Sequence, residues 1–280
     1  MLEHATYFEE VRELKGMLSK MNASRLQDGL RTKCFGRKLV FLQEVDSTSN
    51  YAKELAGYGA SEGTVVIAET QKRGRGRRGR EWVSPAGGLW FSVVLKPMFS
   101  AGEAVRLVFV ASVAVAETLE RLYDLKVETR WPNDVMVNGR KICGVLTEIS
   151  TTGEKVNFAI VGIGINANFG VRVLPESLRE LATSLRKEVG HNVRLEELFT
   201  ALLECLEKKY DLLVSGGFSG LLDEWKRCAV FLGREVEVAC GDARFNGLAL
   251  DVDHEGALVL KLNDGGTRRF FVGDVSIKAR

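Results

Sequence analysis

Paired cysteines, a membrane-length apolar run, a signal-like start and a strong net charge are all missing from this chain, and each absence removes a class of protein. The five cysteines (Cys34, Cys143, Cys205, Cys228, Cys240) are scattered with no Cys-x-x-Cys spacing, which argues against a zinc site and a disulfide framework. They read as reduced thiols of a cytosolic protein. The start, Met1 to Glu10, has no cationic stretch followed by an apolar one, so no secretory signal is expected. The apolar run from Val105 to Ala116 carries Arg106 near its start. It falls short of the ~18 to 20 residues that cross a bilayer and reads as a buried helix continuing to Tyr123. A formal net charge of +2 provides no general field for nucleic acid.

What is present is enough apolar material, 45% of 280 residues, for a large domain and a smaller one. Helical spacing of Phe8, Val11, Leu14 and Leu18 predicts an amphipathic helix within a short N-terminal extension, 1–37. A main domain, 38–230, follows. Its strands are expected at Lys38–Val45, Gly63–Glu69, Gly87–Pro97, Lys126–Trp131 and Lys155–Ile165, with a hairpin turning at Asn138-Gly139 between the last two. Helices are expected at Tyr51–Ala56 and Leu195–Tyr210. From 231 to 280 the pattern changes to short strands with turns at Cys240-Gly241-Asp242, His254-Glu255-Gly256 and Asp264-Gly265-Gly266, which predicts a small β-barrel-like module. The class is therefore α+β.

One loop stands apart. Between Gln71 and Arg80 there are six cations and three glycines, directly after an apolar strand and before another. Basic Gly-Arg runs are often solvated charge or disordered nucleic-acid contacts. Here the two flanking core strands make the loop a site, in which arginine forks grip phosphate or carboxylate and glycine lets backbone N–H groups approach an anion.

Three other segments carry polar groups at strand or helix ends. Asp46-Ser47-Thr48-Ser49-Asn50 reads either as a helix cap or as hydroxyls offered to a urea- or amide-like head group. Arg130-Trp131-Pro132-Asn133-Asp134 reads as an Asx turn or as a strand end displaying Asn133 and Asp134 to a ligand. Lys141, on the returning arm of the hairpin, is either a solvated edge lysine or a cation that meets a reacting carboxylate or phosphate. Val161-Gly162-Ile163-Gly164-Ile165-Asn166 has Gly-x-Gly without the third glycine or the helix opening of a dinucleotide site. Alternating glycine implies close approach of a backbone or a flat ligand, with Asn166 at its edge.

In order and spacing, Gln71, Gly74 to Arg80, Trp82, Trp131-Pro132-Asn133-Asp134, Lys141 with Gly144, and Gly162 to Asn166 resemble the biotin protein ligases. The ending, with Gly247, Asp253, Gly256-Ala257-Leu258 and Gly273-Asp274-Val275-Ser276, is similar to that family's C-terminal module. The resemblance runs from about Lys38 to the end. It implies a mixed-sheet catalytic domain of the class II synthetase-like biotin ligase fold, followed by an SH3-like domain. It further implies ATP-dependent attachment of biotin, through biotinyl-5′-AMP, to a lysine of a biotin carboxyl carrier protein domain. ATP, Mg2+ and biotin are the implied small molecules, with Mg2+ held mainly through phosphates and no metal ligands of its own.

The implied roles follow by position. Arg75, Arg77 and Lys141 are catalytic. Ser47, Thr48, Ser49, Gln71, Arg75, Gly76, Arg77, Lys141 and Gly144 surround biotin. Arg75, Arg77, Arg80, Trp82, Asn133, Asp134 and Asn166 surround ATP. Ser49 stands where the family commonly has Asn, and Arg130 where Lys is frequent. The N-terminal extension is shorter than the winged helix-turn-helix of family members that repress transcription, so no DNA partner and no membrane are expected, and a homodimer is allowed. Lipoate ligation, nucleic-acid binding by the Gly-Arg loop and noncatalytic biotin binding are the competing readings.

Overall fold

The computed structural model describes residues 23–277, so the expected helix at Tyr7–Met21 lies outside the described residues. Seven strands, β1 (Leu39–Val45), β2 (Val65–Gln71), β3 (Leu89–Leu95), β4 (Val127–Arg130), β5 (Asp134–Val137), β6 (Arg140–Thr152) and β7 (Lys155–Ile165), form one sheet in the order β1-β2-β3-β7-β6-β5-β4. Only β1 and β2 run parallel; every other neighbouring pair is antiparallel. The predicted hairpin turn is present, with both Asn138 and Gly139 at positive φ, the combination that a tight β-hairpin favours.

The helices are α1 (Ala23–Asp28), α2 (Thr48–Gly57), α3 (Arg106–Tyr123), α4 (Glu176–Arg179), α5 (Leu185–Val189), α6 (Leu195–Val214) and α7 (Phe218–Arg227). Helix α3 is buried without a break from Leu107 to Ala116, because it lies between the sheet and the pair α6 and α7. That sandwich explains the apolar run that is too short for a membrane. Helices α1, α4, α5 and α7 are not anticipated from the sequence. For α7 the signal is there, since Phe218, Leu221, Leu222 and Trp225 are buried at helical spacing.

Five further strands, β8 (Glu235–Cys240), β9 (Ala243–Val252), β10 (Leu258–Leu262), β11 (Thr267–Phe270) and β12 (Asp274–Ile277), make an antiparallel sheet in the order β11-β10-β9-β8-β12. Its core residues Val236, Val238, Leu258 and Leu260 belong to the same apolar cluster as Phe109, Trp131 and Trp225. The Trp131 Nε1 donates to Gly256 O at 3.0 Å, so the small module is fastened to the strand end that carries Asn133. All five cysteines are free. Burial pushes the Cys205 thiol up to about 11.

Lys209 on α6 ties the helical layer together, with Nζ 2.8 Å from Glu117 on α3 and 2.5 Å from Glu224 on α7. Burial alone would raise the Glu117 carboxyl, but its hydrogen bond and charge interaction with Lys209 outweigh that and hold it below its ordinary 4.5. A depressed carboxylate contributes stability above its unfolded value and loses it as pH falls through the folded one. Lys209→Met should therefore lower stability at pH 7 by about 1–2 kcal/mol, the partly exposed carboxylates limiting the loss. In urea titrations the difference from wild type should shrink as pH is taken below 4.5.

Candidate functional site

Pleat alternation sends every second residue of each strand to one face, and this decides what lines the cavity. In β7, Val161, Ile163 and Ile165 join the main core, which leaves Ile160, Gly162 and Gly164 on the opposite face. Register then aligns three rows across the sheet: Gly144, Gly164 and Trp90; Leu146, Gly162 and Ser92; Glu148, Ile160 and Val94. The last row is covered by α2, where Ala52 and Ala56 pack on Val94 and Ile160. Gly144 and Gly164 of the first row and Leu146 and Gly162 of the second form the floor of a cavity of about 420 Å³, the size expected of a small-molecule site.

The glycines of that floor are required by what lies on them. A Cβ on Gly164 would sit 2.6 Å from the Trp82 Nε1, one on Gly144 would meet the same ring at 3.0 Å, and one on Gly162 would meet Ser49 Oγ at 2.5 Å. The alternating glycines are thus the imprint of Trp82 and Ser49.

One end of the cavity is lined by neutral hydroxyl and amide groups. Gln71 Oε1 accepts from the Thr48 N–H at 2.8 Å and from Thr48 Oγ1 at 3.1 Å, and its Nε2 donates to Ser84 Oγ at 2.8 Å. Ser92 Oγ lies 2.9 Å from Thr48 Oγ1 and 3.1 Å from Ser49 Oγ. Ser92 and Ser84 complete this network and are missed by sequence reasoning, although Ser92 is a lone hydroxyl in an otherwise apolar strand. Ser47, expected among the biotin contacts, is the buried N-cap of α2, its Oγ accepting from Asn50 N at 3.4 Å; Thr48 and Ser49, which follow it, line the cavity.

The other end is charged. Lys141 Nζ is 2.6 Å from Asp134 Oδ1 and 4.9 Å from the centre of the Trp82 ring. The Gly-Arg loop is a small hairpin closed by Trp82 N to Gly74 O at 2.8 Å and Gly76 N to Arg80 O at 2.7 Å. Its cations part company. Arg77, Arg78 and Arg80 converge on Asp274 of the C-terminal sheet at 3.6, 3.9 and 2.8 Å, and Arg77 also donates to Gly273 O at 3.1 Å. Arg75 turns the other way, toward α2 and β6. Burial pushes the Arg77 guanidinium below its ordinary value, with Asp274 pulling against it; arginine remains charged at neutral pH.

Asn133 and Asn166 reach the cavity wall, but each side-chain amide is partly committed. Asn133 Nδ2 donates to Val145 O at 2.7 Å and Asn166 Nδ2 to Thr183 O at 2.9 Å. The second bond holds a segment that the sequence reading leaves unassigned and that supplies Leu174, Leu178, Leu181 and Ala182 to the wall. Its scattered leucines, with no strand or long-helix period, give little signal. Trp82 Nε1 is buried and lacks a hydrogen-bond partner.

Comparison with known proteins identifies the chain's relatives. Residues 41–166 match the Biotin/lipoate A/B protein ligase family and residues 231–278 the Biotin protein ligase C terminal domain. The Bacillus subtilis bifunctional ligase/repressor BirA is 34% identical over 92% of this chain and 79% of its own length. The biotin--[acetyl-CoA-carboxylase] ligase of Paracoccus denitrificans is 36% identical over 79% of this chain and 92% of its own. Among solved structures, the biotin protein ligase from Aquifex aeolicus in complex with biotin and ATP superposes with a TM-score of 0.74 at 30% identity, covering 87% of this chain and all of that one.

The contact between floor and ring is directly testable. Gly164→Ala should displace the Trp82 indole, shift tryptophan emission and cost about 1–3 kcal/mol in denaturant melts. Gly102→Ala, where an added Cβ meets nothing within 4 Å, is the matched control and should change neither.

Proposed function

The chain belongs to the biotin protein ligase family, and from that membership we propose how its own residues join biotin to the lysine of a carboxylase's biotin carrier domain. The observation that carries the reading is that a neutral hydroxyl well and a cluster of cations sit at opposite ends of one glycine-floored cavity. Thr48, Ser49 and Gln71 face the ureido head of biotin, and Gly76 and Gly144, both in the cavity lining, lie against the ligand. That orientation brings the biotin carboxylate to the charged end.

There the carboxylate oxygen attacks the α-phosphorus of ATP. A C–O–P mixed anhydride forms, the bond to the bridging oxygen breaks, and pyrophosphate leaves. Two anions must be brought together, so the residues' work is positioning and charge compensation. Lys141 and Arg77 meet the reacting oxygens, Arg80 the outgoing phosphates, and Trp82 with Asn133 and Asn166 shapes the nucleotide end. In the second step the neutral ε-amine of the carrier lysine attacks the anhydride carbonyl and AMP leaves. Mg2+ would be held mainly through the phosphates, with Asp134, whose Oδ1 is 2.6 Å from Lys141 Nζ, as the carboxylate at that end; it would offset phosphate charge there, and it enters no step above.

Lipoate is disfavoured as substrate by the hydroxyl and amide network, which suits a urea rather than a dithiolane. No described helix is long and apolar enough to cross a membrane. The ligase reading puts the enzyme in the cytoplasm with its carboxylase and leaves the edge strand β1 open to a second copy.

Biotin-dependent exchange of labelled pyrophosphate into ATP, with mass-spectrometric capture of biotinyl-AMP, tests the first step. Wild type should show both. Lys141→Ala should lower exchange by about 10²–10³, the scale of removing one preorganised donor to developing charge. Absence of exchange in the wild type, or full exchange in the Lys141 variant, would overturn the assignment.

A further inference from the structure

The three arginines that meet Asp274 have a partner that faces the cavity, since Asp274 is part of its lining. Arg75 does not. Its Nη1 lies 2.7 Å from Glu148 Oε2 and donates to Asn50 Oδ1 at 2.8 Å, and neither Glu148 nor Asn50 lines the cavity although Arg75 does. Glu148 occupies the third row of the sheet, beside Ile160 and beyond the glycine floor, and Asn50 is in the first turn of α2, next to the Thr48 and Ser49 hydroxyls. One guanidinium thus joins the loop, β6 and α2 on the hydroxyl side.

From this we infer that Glu148 and Asn50 are positioning residues that hold Arg75 as a clasp, closing the loop over the biotin end and retaining the adenylate between the two steps. The inference rests on the ligase reading and deepens it. A ligand anion entering the cavity competes with Asp274 for Arg77 and Arg80, but it does not reach a carboxylate outside the cavity wall. The Glu148 contact therefore persists through the reaction, and Arg75, already neutralised, contributes closure rather than charge. The backbone bridge from Arg75 to Glu81 passes the position of the guanidinium on to both arms of the hairpin.

The test separates the clasp from a merely structural carboxylate by comparing substrates and by a mutant cycle. For Glu148→Gln, Glu148→Ala and the exposed Asn50→Ala, the readouts are KM for biotin, KM for ATP and the release rate of preformed biotinyl-AMP. Loss of a charged hydrogen bond predicts a rise of about tenfold in biotin KM and in adenylate release for the Glu148 variants, and a smaller rise for Asn50→Ala, with ATP KM within about twofold. Combined with Arg75→Ala, Glu148→Ala should add nothing further. Equal rises in both KM values, effects that add fully to those of Arg75→Ala, or unchanged release would each overturn the clasp. If Glu148→Ala does not fold, Asn50→Ala carries the same comparison. A wild type that makes no biotinyl-AMP would sink the ligase reading and the clasp with it; a wild type that makes and keeps it, beside variants that keep it equally well, would sink the clasp alone.

Discussion

A ring lying directly on bare backbone is the contact on which the site depends. Trp82 rests on Gly164 and Gly144, and Ser49 on Gly162; an added Cβ would come within 2.6 Å of the ring at Gly164, 3.0 Å at Gly144 and 2.5 Å of the hydroxyl at Gly162. Because β6 and β7 pair Gly144 with Gly164 and Leu146 with Gly162, the missing side chains fall in adjacent rows and open one continuous trough. Anything larger there would lift Trp82 off the sheet, and with it the ring over which Lys141 is poised. The hydroxyl end and the charged end would then no longer share a cavity.

Charge in this trough is stored in exchangeable pairs. Lys141 has Asp134, and three loop arginines have Asp274. These partners are partly exposed, and ion pairs of that kind contribute only roughly 0–1 kcal/mol each. A phosphate with several charged oxygens can therefore take over the cations at small cost. A deeply buried pair would resist the exchange, because separating it leaves an uncompensated charge out of water. The cations are held in place between turnovers without being locked.

How far the sequence discloses this depends on what kind of signal each residue leaves. Short apolar runs bounded by turn residues disclose β1, β2, β3 and β7 to within about two residues of their ends, and Asn138-Gly139 discloses the hairpin. The arginine loop, Lys141 and Asp134 are legible because charge beside core strands has few structural uses. Ser47 shows the limit: as a hydroxyl in a run of three it is indistinguishable from Thr48 and Ser49, and only the helix geometry singles it out as the cap. Ser92, Glu148 and Asp274 leave no such signal, because their contacts arise from register and from the docking of the second sheet, long-range relations that local pattern does not encode. Leu174, Leu178 and Leu181 stay hidden for a related reason, since their segment is held by the Asn166 bond to Thr183 O rather than by a period of its own.

The division of the loop between two anchors bears on a reaction in two steps with a labile product between them. The first step needs cations that can leave their carboxylates for phosphate, and the Asp274 side provides them. The second needs the anhydride kept from water until a lysine arrives, which calls for a cover that does not loosen when pyrophosphate departs. A loop fastened only through cavity-lining carboxylates would change its hold with every change in phosphate charge. By sending Arg75 to groups beyond the cavity wall, the hairpin gains one attachment independent of the nucleotide, so opening at the phosphate end need not expose the biotin end.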